Sequence, residues 1–71
     1  GDPNAQIRVA QLYDKGLGVD PNPAAAHAWY SLAAEQGSAE AARERDRLQA
    51  SLSQNQLRQS AELIREERPP E

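Results

Sequence analysis

The segment opening at Gly1 nearly repeats itself 36 residues further on: Gly1 and Ala5 recur as Gly37 and Ala41, and Leu12 recurs as Leu48. A fixed period of this length is the mark of a helical repeat protein, in which each unit buries its apolar face only by stacking on a neighbour. Stacked modules present surface, so the expected task is holding another protein rather than making or breaking bonds. At 71 residues the chain is one small domain at most, near the lower limit for an independent core. Alanine supplies 13 of its residues, there is no Phe or Met and only one Trp, so close helix approach has to replace bulky side chains.

Composition removes several classes of function. A net charge of -3 and a pI near 5.0 argue against a phosphate-binding surface, so no nucleic-acid partner is expected. Without cysteine there is no thiol catalysis, disulfide or cysteine-ligated zinc, and the redox compartment stays open. No apolar run approaches the ~20 residues needed to span a bilayer, and no signal-like segment occurs, so no membrane insertion is expected.

Start and stop signals divide the chain into four helices, an all-α class. The first spans about Pro3 to Lys15, with Asp2 as N-cap, Pro3 at the first helical position and Gly16 as stop. The string GLGVDPN from Gly16 to Asn22 cannot continue a helix and reads as a hairpin loop, with Val19 as its one apolar residue to tuck inward. Asn22 and Pro23 open the second helix, which reaches Gln36 before Gly37 supplies a left-handed turn. Ser38 caps a third helix ending about Ser51. Ser53 with Gln56 makes a capping box for a fourth, which ends near Arg68 before Pro69 and Pro70. Residues 1–37 thus form one repeat, 38–68 a degenerate half repeat with a closing helix, and 69–71 a frayed tail.

Helical spacing assigns the buried faces. Ala26, Trp29, Tyr30, Ala33 and Ala34 form one stripe on the second helix, and Ala5, Val9, Leu12 and Tyr13 form the matching stripe on the first, so the two pair as an antiparallel hairpin. Carried into the third helix, Val9 becomes Arg45, Ala10 becomes Asp46 and Tyr13 becomes Gln49. A terminal repeat has no successor to cover it, and this decay into polarity suits an end cap. Leu57, Ala61 and Ile64 are expected to lie over Leu48 and Leu52 and close the stack.

The string from Ala5 through LYDKGLGV and on to AHAWYSLAAEQG resembles the Sel-one-like repeat family, relatives of the tetratricopeptide repeats with a longer glycine-containing loop. The positions that carry the resemblance are Ala5, Leu12, Tyr13, Gly16, Gly18, Val19, Ala26, Trp29, Tyr30, Ala33, Ala34 and Gly37, in order and at the family's spacing. Ala10 departs from a usual glycine and Asn22 from a usual aspartate, and Pro21 and Pro23 stand in the loop. The resemblance implies a right-handed α/α superhelix, a solenoid fragment of antiparallel helix hairpins near the C-terminal end of an array. Gly1 stands where Gly37 does, so the chain is expected to begin part-way through that array. It further implies a bacterial parent, in cytoplasm or periplasm and with a lean to cell-envelope complexes, and a module that binds or helps assemble a partner protein.

Candidate chemistry is sparse. His27 is the sole histidine, and neighbouring Ala24, Ala26 and Ala28 give it no partner for a ligand or base role. The acids Asp14, Glu35, Glu40, Glu44, Glu62 and Glu66 sit in polar stretches and read as solvated rather than as a tuned catalytic pair. No nucleophile elbow, phosphate-binding glycine motif or metal spacing occurs, so no catalytic residue, cofactor or metal is expected. In the run Arg43–Arg47, Glu40 with Arg43 and Glu44 with Arg47 are spaced to pair along a wet helix face.

One polar stripe carries the binding expectation. Asn4, Arg8, Gln11 and Lys15 recur on the first helix away from its apolar stripe, and family resemblance implies that this helix lines a concave groove. Its two cations would suit an acidic segment or a C-terminal carboxylate, and a partly exposed Trp29 would add an anchor. Two other readings stay open: a purely structural C-terminal cap with no partner of its own, and self-association through the apolar surface of the N-terminal repeat end.

Overall fold

The computed structural model describes residues 2–68, which form four helices: α1 (Pro3–Lys15), α2 (Pro23–Glu35), α3 (Ala39–Gln49) and α4 (Gln54–Glu67). No strand occurs among them, and the fold is an all-α helical repeat fragment. The expected frayed tail lies outside the described residues.

The helix ends follow from local chemistry. Asp2, Asn22, Ser38 and Ser53 each turn a side-chain oxygen onto a backbone N–H of the first turn, at 3.0–3.1 Å. Ser53 and Gln56 complete a reciprocal capping box. At the end of α2, Gly37 takes φ +100 and donates to the Ala34 carbonyl, while Ser38 donates to that of Ala33, a Schellman closure. α1 ends likewise at Gly16, φ +69, with Leu17 donating to the Leu12 carbonyl. The second and third helices stop at Glu35 and Gln49, short of the expected Gln36 and Ser51.

Hydrogen bonds and ion pairs between elements fix the topology. The backbone N–H of Asn22 donates to the Tyr13 carbonyl across the loop, and the Gln36 side chain donates to that of Gln6 at the far end, so α1 and α2 run antiparallel. Arg47 near the end of α3 reaches Asp14 near the end of α1, so those two run parallel. Ser60 stands by His27 and Arg68 by Glu35, which lays α4 parallel to α2. α2 is therefore the central helix, packed against each of the other three, and nine of its residues are buried. Alanine makes this enclosure feasible, because Ala24, Ala25, Ala26, Ala28 and Ala33 let neighbouring backbones close in on every side.

The core joins Ile7, Ala10, Ala26, Tyr30, Ala33, Ala41 and Leu48, with Tyr13, Trp29 and Ala34 half-buried around it. This corrects the stripe expected on α1. Ala5 is exposed, Val9 is half-buried and Leu12 is 37% exposed; the buried side chains are Ile7 and Ala10. The reason is that α1 meets α2 and α3 through a face turned well round from Ala5 and Leu12, and no described element covers the latter. Val19 does not tuck inward either: it and Leu17 are exposed, because nothing packs over the loop. On α4 the fully buried residue is Ser60, with Leu57, Leu63 and Ile64 half-buried beside it, whereas Ala61 is exposed. The helix closes the stack by lying on α2, not over Leu48 of α3 and Leu52 of the link, since the short Ala50–Ser53 link carries it across to the open side of α2.

Candidate functional site

The described residues place three polar or amphipathic features that bear on function. The first is the face of α1 carrying Asn4, Arg8, Gln11 and Lys15, of which Asn4, Arg8 and Lys15 are exposed and Gln11 is half-buried. Lys15 sits in the last turn of α1, where a cation suits the negative end of the helix dipole. Neither Arg8 nor Lys15 joins an ion pair among the described residues.

The second feature is a groove of about 250 Å³ lined by Asp2, Ala5, Gln6, Val9, Trp29 and Glu67. Trp29 is half-buried at its side, so the indole is neither fully core nor free. At 100° per residue, Ala5 and Val9 stand well round the helix from Asn4, Arg8, Gln11 and Lys15. Trp29 and the polar stripe therefore belong to separate surfaces, and the structure does not bring them together.

The third feature escapes a reading of the sequence. His27 is 7% exposed and both ring nitrogens are engaged, Nδ1 by the Ser60 hydroxyl at 2.6 Å and Nε2 by Gln49 Oε1 at 3.2 Å. An amide oxygen only accepts, so Nε2 carries the proton and Nδ1 accepts from Ser60. This corrects the expectation that His27 lacks partners: they come from α3 and α4, not from its own helix. With both nitrogens occupied and no acid in contact, the ring offers no lone pair to a metal. It serves as a polar key among three helices. No cluster of metal-ligating side chains occurs among the described residues.

Charge chemistry gathers at the junction of α1 and α3. Arg47 contacts Asp14 and Glu44, each at 2.8 Å. Asp14 is thus not a free solvated acid: its side chain is 19% exposed and paired. The hydrogen bonds that Arg47 donates to Glu44 and Asp14 hold its guanidinium still more firmly protonated. Beneath them Tyr30 is 2% exposed, and burial, aided by Asp14 and Glu44, pushes its phenol above the usual tyrosine range. Glu44 and Arg47 pair as spaced; the spaced partner Arg43 makes no ion pair with Glu40 among the described residues. Glu35 is also paired, with Arg68.

The left-handed glycines, the buried alanines of α2 and the 36-residue offset meet one further finding: the family model of the Sel1 repeat matches residues 3–38, half of the chain. The chain belongs to the Sel1 repeat family. Comparison with curated proteins and with solved structures gives no match. Sel1 repeats typically mediate protein interactions and are generally non-catalytic scaffolds. In this Sel1 repeat protein no described helix is long and apolar enough to cross a membrane.

Proposed function

We propose that this chain is a non-enzymatic scaffold, a Sel1 repeat module that binds or helps assemble a partner protein through the solvated face of α1. The observation that carries the reading is the exposed pair Arg8 and Lys15, unpaired among the described residues, on a helix whose opposite side is fixed by core packing. A rigid helix presenting polar side chains that serve no internal contact is what recognition needs. The test is affinity capture from source cells with the native chain beside an Arg8→Ala, Gln11→Ala, Lys15→Ala variant shown to stay helical. Loss of a captured protein from the variant alone supports the reading. Equal recovery moves the site elsewhere, and capture by neither chain overturns the scaffold role.

A second reading rests on its own observation. Arg43 and Asp46, which stand at the positions of buried Ile7 and Ala10, are exposed and polar, so the α3–α4 pair forms a soluble closing end. In that reading the pair stabilises the hairpin it covers and binds nothing. Exposed Ala5, Leu12, Leu17 and Val19 leave the opposite end apolar, and a concentration-dependent mass in sedimentation equilibrium would reveal self-association there.

A further inference from the structure

The repeat offset and the parallel run of α1 and α3 place a second stripe beside the first. On α1 Asn4, Arg8 and Gln11 recur at i, i+4 and i+7, and so share one side of that helix. Glu40, Glu44 and Arg47, each 36 residues further on, recur at the same spacing on α3. The Arg47–Asp14 bridge ties the last turns of the two helices and brings the α3 stripe to the α1 side. The two stripes thus form neighbouring rows on one side of the molecule.

Their charges are opposite. The α1 row carries Arg8 and Lys15 with two neutral amides. On α3 Glu40 is exposed and unpaired among the described residues, while Glu44 shares the Arg47 guanidinium with Asp14 of α1, so that one cation offsets only one of those two acids. The phenol of Tyr30 below is raised by burial first and then by Asp14 and Glu44, with Arg47 opposing and Glu40 adding. A separation of one helix diameter is close to the Debye length of about 8 Å at physiological ionic strength, so each row acts largely on what lies directly over it.

We propose, building on the α1 interaction face, that this surface takes a protein segment bearing an acidic row beside a basic row, the acids over Arg8 and Lys15 and the bases over Glu40 and Glu44. A uniformly acidic segment is drawn to α1 but repelled along α3, and a uniformly basic one meets the reverse.

The experiment uses three alanine-based helical peptides of about four turns. One carries a Glu row beside a Lys row, one carries Glu alone, and one has the composition of the first with the charges mixed within each row. Each is titrated into the isotope-labelled chain at physiological ionic strength, with amide shifts of α1 and α3 followed. The two-row peptide is expected to bind about tenfold tighter than either other, and both an Arg8→Gln, Lys15→Gln variant and a Glu40→Gln variant to lose that advantage. If the acidic peptide binds as tightly as the two-row one and Glu40→Gln changes neither, the split-charge surface is wrong while the α1 face stands. If the Arg8→Gln, Lys15→Gln variant binds the two-row peptide unchanged, or no peptide moves an α1 or α3 amide, both fail.

Discussion

α1 and α3 stand 36 residues apart in the chain and run parallel, and their burial is complementary. Ala41 and Leu48 are 0% and 4% exposed, whereas Ala5 and Leu12 at the equivalent positions are exposed. Ile7 and Ala10 are buried, whereas Arg43 and Asp46 in their places face solvent. α1 and α3 each pack on α2, and each has one further face buried and one bare. The two bare faces differ in kind: that of α3 carries Arg43 and Asp46, and that of α1 carries Ala5 and Leu12. The repeat has a polar end and a sticky one.

Truncation at the paired positions is the harshest test of that asymmetry. Leu48→Ala removes a buried side chain from the junction of both hairpins and is expected to cost about 2–5 kcal/mol. Chains of this size hold only about 3–5 kcal/mol in all, so the variant should be largely unfolded in chemical denaturation. Leu12→Ala, the same change one repeat earlier, should cost less than about 1 kcal/mol. Equal losses would mean that Leu12 is covered in solution, by a second copy for instance, and sedimentation of the native chain would then show it.

The hairpin loop supplies the next contrast. Gly16 needs its φ of +69, and a Cβ there would stand 2.7 Å from Pro21 Cγ, whereas the matching residue of the second repeat is Leu52, which follows α3 without any left-handed turn. Gly16→Ala should therefore cost about 2 kcal/mol or more, the left-handed conformation alone accounting for about 1–2 kcal/mol of it. Adding Pro21→Ala should recover the steric part and leave the conformational part. Gly37→Ala, with φ +100 but open space around it, should show the conformational cost alone. A Gly16→Ala loss that Pro21→Ala does not reduce would remove Pro21 from the account.

How far these features could be read in advance depends on their range along the chain. Caps, glycine stops and the capping box were legible because each is decided within about four residues. The α2 core was legible because alanines and aromatics fill a single helix there. The orientation of α1 was not, since Ala5, Val9 and Leu12 form an apolar stripe that outvotes Ile7 and Ala10 in any spacing count, although no described element covers Ala5 and Leu12. The ties His27–Ser60, Asp14–Arg47 and Glu35–Arg68 each join residues 33 apart, and nothing local marks either partner. The acidic row on α3 was within reach, because the offset that exposes the repeat also carries Arg8 onto Glu44.

The seat of α4 on α2 gives a smaller effect. Ser60→Ala leaves His27 Nδ1 buried without a donor, and about 1–3 kcal/mol should be lost. Gln49→Ala removes the partner of Nε2 from the exposed side, where water replaces the amide, so its cost should stay below about 1 kcal/mol. Gln49 stands in the place of Tyr13, which packs against the core instead. If the two substitutions cost the same, the key is symmetrical and ties α2 to α3 as firmly as to α4.

The finest test separates the charges at the α1–α3 junction. An unfolded tyrosine ionises near 10, and folded Tyr30 does so at higher pH. As pH rises above about 10, the unfolded chain gives up the proton first, so the stability tied to Tyr30 is complete below that point and declines as pH climbs through the folded value. In a Tyr13→Phe background, which leaves one phenol, near-ultraviolet phenolate absorbance follows this directly. Asp14→Asn takes away a carboxylate that opposes ionisation and should bring the Tyr30 midpoint down. Arg47→Gln takes away the one nearby cation that favours it and should move the midpoint up. The exposed Asp14–Arg47 pair itself is worth about 0.2–1 kcal/mol, less in high salt. Opposite displacements of the midpoint would establish that the Asp14 carboxylate of α1 and the Arg47 guanidinium of α3 act in opposite senses on the phenol, and a midpoint indifferent to both changes would leave burial as its only cause.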